Sequence, residues 1–273
     1  MEVTLKHKHN PKYRGRIAPT PSGYLHAGHA RTFRVAWQRA RDAGGSLVFR
    51  NDDLDADRCR PEFERAAIED LRSLGLDWDE GPDVGGTYGP YNQSERHEHY
   101  LAAWQKLRDA GMIYPCNCSR SEIKAFNQKS IDGAEFLFPP QLRPKETELR
   151  LTEEPGEVNW RFRTALSEEI SFVDRNLGVQ NFKVGEDFSD FLIWRKNGYP
   201  SYELATVIDE INMCITEIVR GLDLLKSSAR QNLIFSALGG TSPAFYHCEI
   251  MTDENGRKLS KSDRTLPRLS LPF

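Results

Sequence analysis

The chain has 273 residues, 38% of them hydrophobic and 28% charged, with a formal net charge of -3. That length holds one good core, or one core carrying an inserted subdomain. The acidic balance argues against a sequence-blind polyanion binder, which is usually basic overall, while leaving room for local basic clusters at the two ends of the chain. Five cysteines at irregular spacing make no disulfide framework, and no stretch approaches the roughly 18 apolar residues of a membrane span, so a soluble, cytoplasmic protein is expected.

In chain order, Arg14 to Ala18 reads as a short strand, stopped by Pro19-Thr20-Pro21-Ser22-Gly23, where two prolines and a glycine end ladder bonding and turn the chain. Beyond His26-Ala27-Gly28-His29, Phe33, Trp37 and Ala40 recur at helical spacing until Gly44-Gly45. Ser46 to Arg50 reads as a second strand. A β-α-β start predicts a parallel sheet whose ligands sit beyond the carboxyl ends of its strands, where the proline-rich turn and the two histidines fall. Pro61, Phe63, Ala67, Leu71 and Leu74, closed by Gly75, mark a second helix, and Tyr100, Trp104 and Leu107, closed by Gly111, a third.

From about Tyr114 to Glu186 the texture changes: prolines stand at 115, 139, 140, 144 and 155, and Trp160-Arg161-Phe162-Arg163 alternates like a strand. Helical and strand patterns return at Phe191 to Trp194, Ile215 to Val219 and Leu224 to Leu238. The expected plan is a Rossmann-type α/β parallel sheet in two halves, 11–113 and 186–273, around an inserted α+β subdomain at 114–185. No internal repeat is visible.

Two motifs carry the chemistry. His26-Ala27-Gly28-His29 places two imidazoles beside a glycine at a helix start, where they can donate to phosphate oxygens. Lys258-Leu259-Ser260-Lys261-Ser262, about 230 residues later, supplies two ammonium groups able to close over a departing pyrophosphate. In this order they point to a nucleotide-binding enzyme that acts at the α-phosphate of ATP. Each alone has a blander reading, as packed or surface histidines and as a solvated basic tail.

The run Arg16-Ile17-Ala18-Pro19-Thr20-Pro21-Ser22-Gly23-Tyr24-Leu25-His26-Ala27-Gly28-His29-Ala30 closely resembles the opening of the glutamyl- and glutaminyl-tRNA synthetases. Phe49 to Asp55, Tyr202 to Asp209 with Thr216 to Gly221, and Gly256 to Lys261 keep the family's order, so the resemblance spans nearly the whole chain. The tRNA-charging members continue past the lysine motif into an anticodon-binding module, whereas Ser262 is followed here by eleven residues to Phe273. On that ground the chain is expected to resemble the family's stand-alone branch, which attaches glutamate to the queuosine base of tRNA(Asp). The alternative is a glutamyl- or glutaminyl-tRNA synthetase core that charges a tRNA 3′ end. A non-catalytic RNA- or nucleotide-binding paralogue is a third reading, opposed by the intact histidines and lysines.

The resemblance implies a role for each matching residue. His26 and His29 face the triphosphate and Lys261 stabilises the leaving group, with Lys258 and Ser260 in support; Thr20 and Gly28 complete the ATP site, and Mg²⁺ accompanies ATP. Arg16 and Arg220 take the carboxylates of glutamate, with Ala18, Thr20 and Tyr202 shaping the pocket and Asp52 holding the substrate ammonium. Glutamate, ATP and queuosine-containing tRNA(Asp) are the expected partners of a monomer, and no membrane is expected.

Departures from the family pattern qualify this. Asp52, in Arg50-Asn51-Asp52-Asp53-Leu54-Asp55, is one methylene shorter than the glutamate of glutamyl enzymes, a glutaminyl-like feature that Arg220 opposes. Thr206 stands where glutamyl enzymes carry a larger amide. Cys116-Asn117-Cys118 resembles half of the zinc site found in many members, but Phe138 and Leu142 replace the other two ligands and cannot coordinate. No structural zinc is expected, with Phe138 and Leu142 packing instead. His97 and His99 suit a solvated helix face, and Cys59, Cys214 and Cys248 read as small core residues.

Overall fold

Residues 12–145 and 152–250 are described in the computed structural model of the chain. The expected β-α-β unit is present: β1 (Arg14–Ile17), α1 (Ala27–Asp42) and β2 (Ser46–Phe49), with the strands parallel and Arg16 opposite Val48. Phe33, Ala36 and Ala40 form one apolar stripe on α1 and pack on Ile17, Leu47 and Phe49 of the strands. Gly44 ends the helix at φ 56°, where a residue with a side chain would be strained. α2 (Pro61–Ser73) begins with the proline at a position whose amide has no helical partner to lose. α3 (His97–Asp109) buries Tyr100, Trp104 and Leu107 and turns His97 and His99 outward.

The proline-rich stretch contributes β3 (Ile113–Cys116), α4 (Arg120–Ala125), β4 (Asn159–Phe162) and the hairpin β5 (Glu169–Asp174) and β6 (Gly178–Lys183). After it come β7 (Leu192–Trp194), α5 (Tyr202–Asn212), β8 (Glu217–Gly221), α6 (Leu225–Ala237) and β9 (Ala244–Cys248). β3, β4 and β7 form an antiparallel sheet, and a second sheet runs β6-β5-β9-β8 with β8 and β9 parallel. β8 is tied to β1, since Thr216 N donates to Arg14 O at 2.8 Å and Arg16 Nη1 to Val219 O at 2.8 Å.

The result is a mixed α/β fold with parallel strands at its centre. Its largest core cluster joins Trp104 of α3, Trp160 and Phe162 of β4, Leu204 and Ile208 of α5, and Phe235 of α6. The 114–185 stretch therefore shares a core with the chain on both sides of it. Trp104 and Trp160 meet edge to face with ring centroids 4.8 Å apart.

The cysteines correct one expectation. Cys248 is buried, but Cys59 is half-buried and Cys214 is exposed. Cys214 occupies the left-handed turn between α5 and β8 at φ 53°, and the reversal there turns its side chain outward. Cys116 and Cys118 pack with Tyr114, Ile123, Phe138 and Leu142 in a small apolar cluster. Among the described residues, no three His, Cys, Asp or Glu side chains gather where a metal could sit, and no helix is long and apolar enough to cross a membrane.

Candidate active site

Four strand ends converge on one cavity. Arg16 is the next-to-last residue of β1, with Ala18 and Thr20 just beyond; Asp52 follows β2, Arg220 lies near the end of β8, and Glu249 and Ile250 follow β9. With His26, Gly28 and His29 from the start of α1 and Tyr202 from the start of α5, they line a cavity of about 230 Å³. All nine site residues read from the sequence within the described range thus share one wall. Lys258, Ser260 and Lys261 lie outside the described residues. Thr206 is buried within α5 and does not reach the cavity.

The two histidines are fixed by the helix they begin. His26 caps α1, its Nδ1 accepting from Gly28 N at 3.1 Å, while His29 Nδ1 accepts from His26 N at 3.3 Å. The rings stack with centroids 3.7 Å apart. Because each Nδ1 accepts a backbone N–H, the neutral rings carry their proton on Nε2, as donors on the side away from the backbone. The first turn of α1 holds no acidic residue, so no carboxylate of its own opposes the positive end of the helix dipole.

Below the cavity lies a buried cluster of charge that the sequence did not disclose. Arg16 Nε donates to Glu210 Oε1 at 2.9 Å, and Arg50 Nε to Asp52 Oδ1 at 2.6 Å. Arg50 also faces Glu210 at 3.2 Å and Asp209 at 3.6 Å, and Arg96 Nε donates to Asp209 Oδ1 at 2.7 Å. Burial pushes the Asp52 carboxyl up to about 6, with Arg50 pulling against it. Glu210 is held below its ordinary range because Arg50 and Arg16 together outweigh its burial. Asp52 accordingly sits in the cavity wall with Arg50 behind it, so the burial that raises its carboxyl is opposed chiefly by a residue the sequence reading had not assigned to the site.

Arg220 is held differently. Its Nε donates to His247 Nε2 at 3.3 Å, Nη2 to Ser228 Oγ at 2.6 Å, and Nη1 to the Tyr202 hydroxyl at 3.3 Å. His247 Nδ1 in turn meets Asp174 Oδ2 at 2.6 Å. Asp174, Ser228 and His247 were also missed. The one available signal was a lone histidine flanked by apolar residues in Phe245 to Cys248, and such a residue is ordinarily just a satisfied core histidine.

Residues 12–269 match the family model described as tRNA synthetases class I (E and Q), catalytic domain. A glutamyl-Q tRNA(Asp) synthetase of Symbiobacterium thermophilum is 44% identical over 250 residues, 90% of this chain and 77% of the relative. One from Nitratidesulfovibrio vulgaris is 38% identical over 255 residues, 93% of this chain and 79% of the relative. Among solved structures, a glutamate tRNA ligase of Elizabethkingia meningosepticum, in complex with its amino acid, superposes with a TM-score of 0.78 at 30% identity; the alignment covers 92% of this chain and 52% of that one.

Proposed function

The chain belongs to the class I tRNA synthetase (E and Q) catalytic-domain family, a ligase of the aminoacyl-tRNA synthetase type, and on that premise we propose that it activates glutamate with ATP and transfers it to the queuosine base of tRNA(Asp). The observation that carries this reading is the convergence of Arg16, Asp52, Tyr202 and Arg220 on the cavity that also holds His26 and His29 at the amino end of α1. The two glutamyl-Q relatives support the choice of acceptor.

In the first step, a glutamate α-carboxylate oxygen attacks the α-phosphorus of ATP, and pyrophosphate leaves. Charge builds on the phosphate oxygens, where the Nε2–H groups of His26 and His29 act as preset donors. Lys258 and Lys261 are assigned to the departing pyrophosphate, with Ser260 beside them. Arg220, a buried guanidinium whose hydrogen-bond partners are all neutral, is suited to pair with a substrate carboxylate. Arg16 is the second candidate for that work, and Asp52 is placed to accept the ammonium. Mg²⁺ enters with ATP as its counter-ion.

In the second step, a hydroxyl of the queuosine cyclopentene-diol attacks the adenylate carbonyl, forming the ester and releasing AMP. The 114–185 stretch is the part of the chain assigned to the tRNA, between nucleotide-binding halves at 11–113 and 186–273. Charging with labelled glutamate on tRNA with and without queuosine, followed by nuclease digestion and mass spectrometry, tests the proposal. Ester on the queuosine nucleoside alone supports it. Glutamate on the terminal adenosine whatever the queuosine content would identify a 3′-end charging enzyme.

A further inference from the structure

We infer that His247, fixed by Asp174, is a positioning residue that aims Arg220 into the cavity and leaves its charge for the substrate to neutralise. The inference deepens the proposed reading and rests on it. It begins with strand register: β8 and β9 run parallel with Arg220 directly opposite His247, both buried. Neighbours so paired project to the same face, and Phe245, two residues before His247, places its ring 5.4 Å from the Arg220 guanidinium carbon.

The contrast among the buried arginines is informative. Arg16, Arg50 and Arg96 each have a carboxylate oxygen within 2.9 Å. Arg220 has the His247 imidazole, the Ser228 hydroxyl and the Tyr202 hydroxyl as its hydrogen-bond partners and no ion pair among the described residues, the buried Glu203 carboxylate acting on it only from beyond ion-pair reach. Three neutral acceptors orient the guanidinium without cancelling it. A glutamate or aspartate in the place of His247 would orient it equally well and neutralise it, and the site would then gain little from a carboxylate ligand.

For His247 to accept from Arg220, its Nε2 must be unprotonated, and Asp174 arranges this. Nδ1–H of His247 donates to Asp174 Oδ2 at 2.6 Å, which keeps the ring proton on that nitrogen. The carboxylate is itself held by the backbone N–H groups of Asn176 at 3.0 Å, Leu177 at 2.9 Å and His247 at 3.1 Å. Ser228 closes the arrangement, its Oγ lying 3.0 Å from His247 Nε2 while accepting from Arg220. Burial and the adjacent Arg220 charge push the imidazole down to about 4, so it stays neutral at physiological pH.

The test is ATP–pyrophosphate exchange with wild type, His247→Leu, His247→Gln and Ser228→Ala, each with its thermal midpoint. His247→Leu removes the acceptor and should raise KM for glutamate about tenfold or more while KM for ATP stays within about twofold. His247→Gln offers an amide oxygen near the Nε2 position and should return KM for glutamate to within about threefold of wild type. Ser228→Ala removes one hydroxyl from a helix and should raise KM for glutamate alone by about threefold or more. Equal effects of leucine and glutamine, a joint rise of both KM values, or a lowered thermal midpoint with unchanged KM would overturn the inference. If the leucine variant does not fold, unaltered glutamate KM in Ser228→Ala overturns it. Wild-type protein with no glutamate-dependent exchange would instead refute the underlying functional reading.

Discussion

Replacing Arg50 with methionine removes the central cation of the buried cluster while keeping an unbranched side chain of similar length. The cluster balances Arg16, Arg50 and Arg96 against Asp52, Asp209 and Glu210. The variant leaves those carboxylates facing Arg16 and Arg96, and an uncompensated buried charge of this kind costs about 3–5 kcal/mol. Asp52 is the group that relieves it. Its carboxyl already stands at about 6 through burial, with Arg50 the leading opposing influence, so losing Arg50 moves it higher still. A carboxyl raised in the folded state binds its proton more tightly there than when unfolded. Stability of the variant therefore recovers as pH falls towards that value and is lost as pH rises, by up to about 1.4 kcal/mol per pH unit. Urea unfolding of wild type and variant at pH 6 and pH 8 measures this. The expected deficit is about 3–5 kcal/mol at pH 8 and distinctly smaller at pH 6, with glutamate KM raised at pH 8. A deficit below about 1 kcal/mol, or one equal at both pH values, would refute the reasoning, since either outcome means Arg50 does not hold the carboxylates ionised.

His29→Ala should slow adenylate formation by about a hundredfold or more, and unchanged exchange kinetics would remove His29 from the catalytic groups. His247, lowered from its usual 6.5 to about 4 by burial and by Arg220, favours the folded state while neutral. Its contribution is full above pH 6.5 and is lost as pH falls through about 4, amounting to about 3 kcal/mol. His247→Gln should flatten the acid limb of the stability profile by that amount in urea melts, and an identical limb would count against the assignment. Metal analysis of purified protein should find no stoichiometric zinc, and chelator should leave the thermal midpoint unmoved; one tightly held equivalent would reverse the reading of Phe138 and Leu142.

What could be read from the sequence was local. The β1-α1-β2 unit announced itself because the Pro19-to-Gly23 turn and Gly44-Gly45 punctuate it, and because the residues between them keep one period. The two histidines were legible because they fall at a strand end, where a parallel sheet binds its ligands; Arg16, Asp52, Tyr202 and Arg220 were legible only through the short runs that resemble the synthetase family. Their supporting partners were not. Arg50 meets Asp209 and Glu210, and Arg220 meets His247, only after distant strands and helices come together. Nothing within either segment marks the pairing, since an acidic dipeptide late in an apolar helix reads as its solvated edge. Cys214 was misjudged because exposure there depends on a left-handed turn and not on composition.

The placement of Asp174 constrains how this scaffold can be re-engineered. It closes β5, within the 114–185 stretch, yet pairs with Phe245 of β9 and grips His247 beneath the cavity. Exchanging 114–185 for a relative's segment, in order to test the acceptor role proposed for it, would also replace a support of the cavity wall at Arg220. A graft that spares the β5–β6 hairpin, exchanging only residues before Glu169, would leave that support in place.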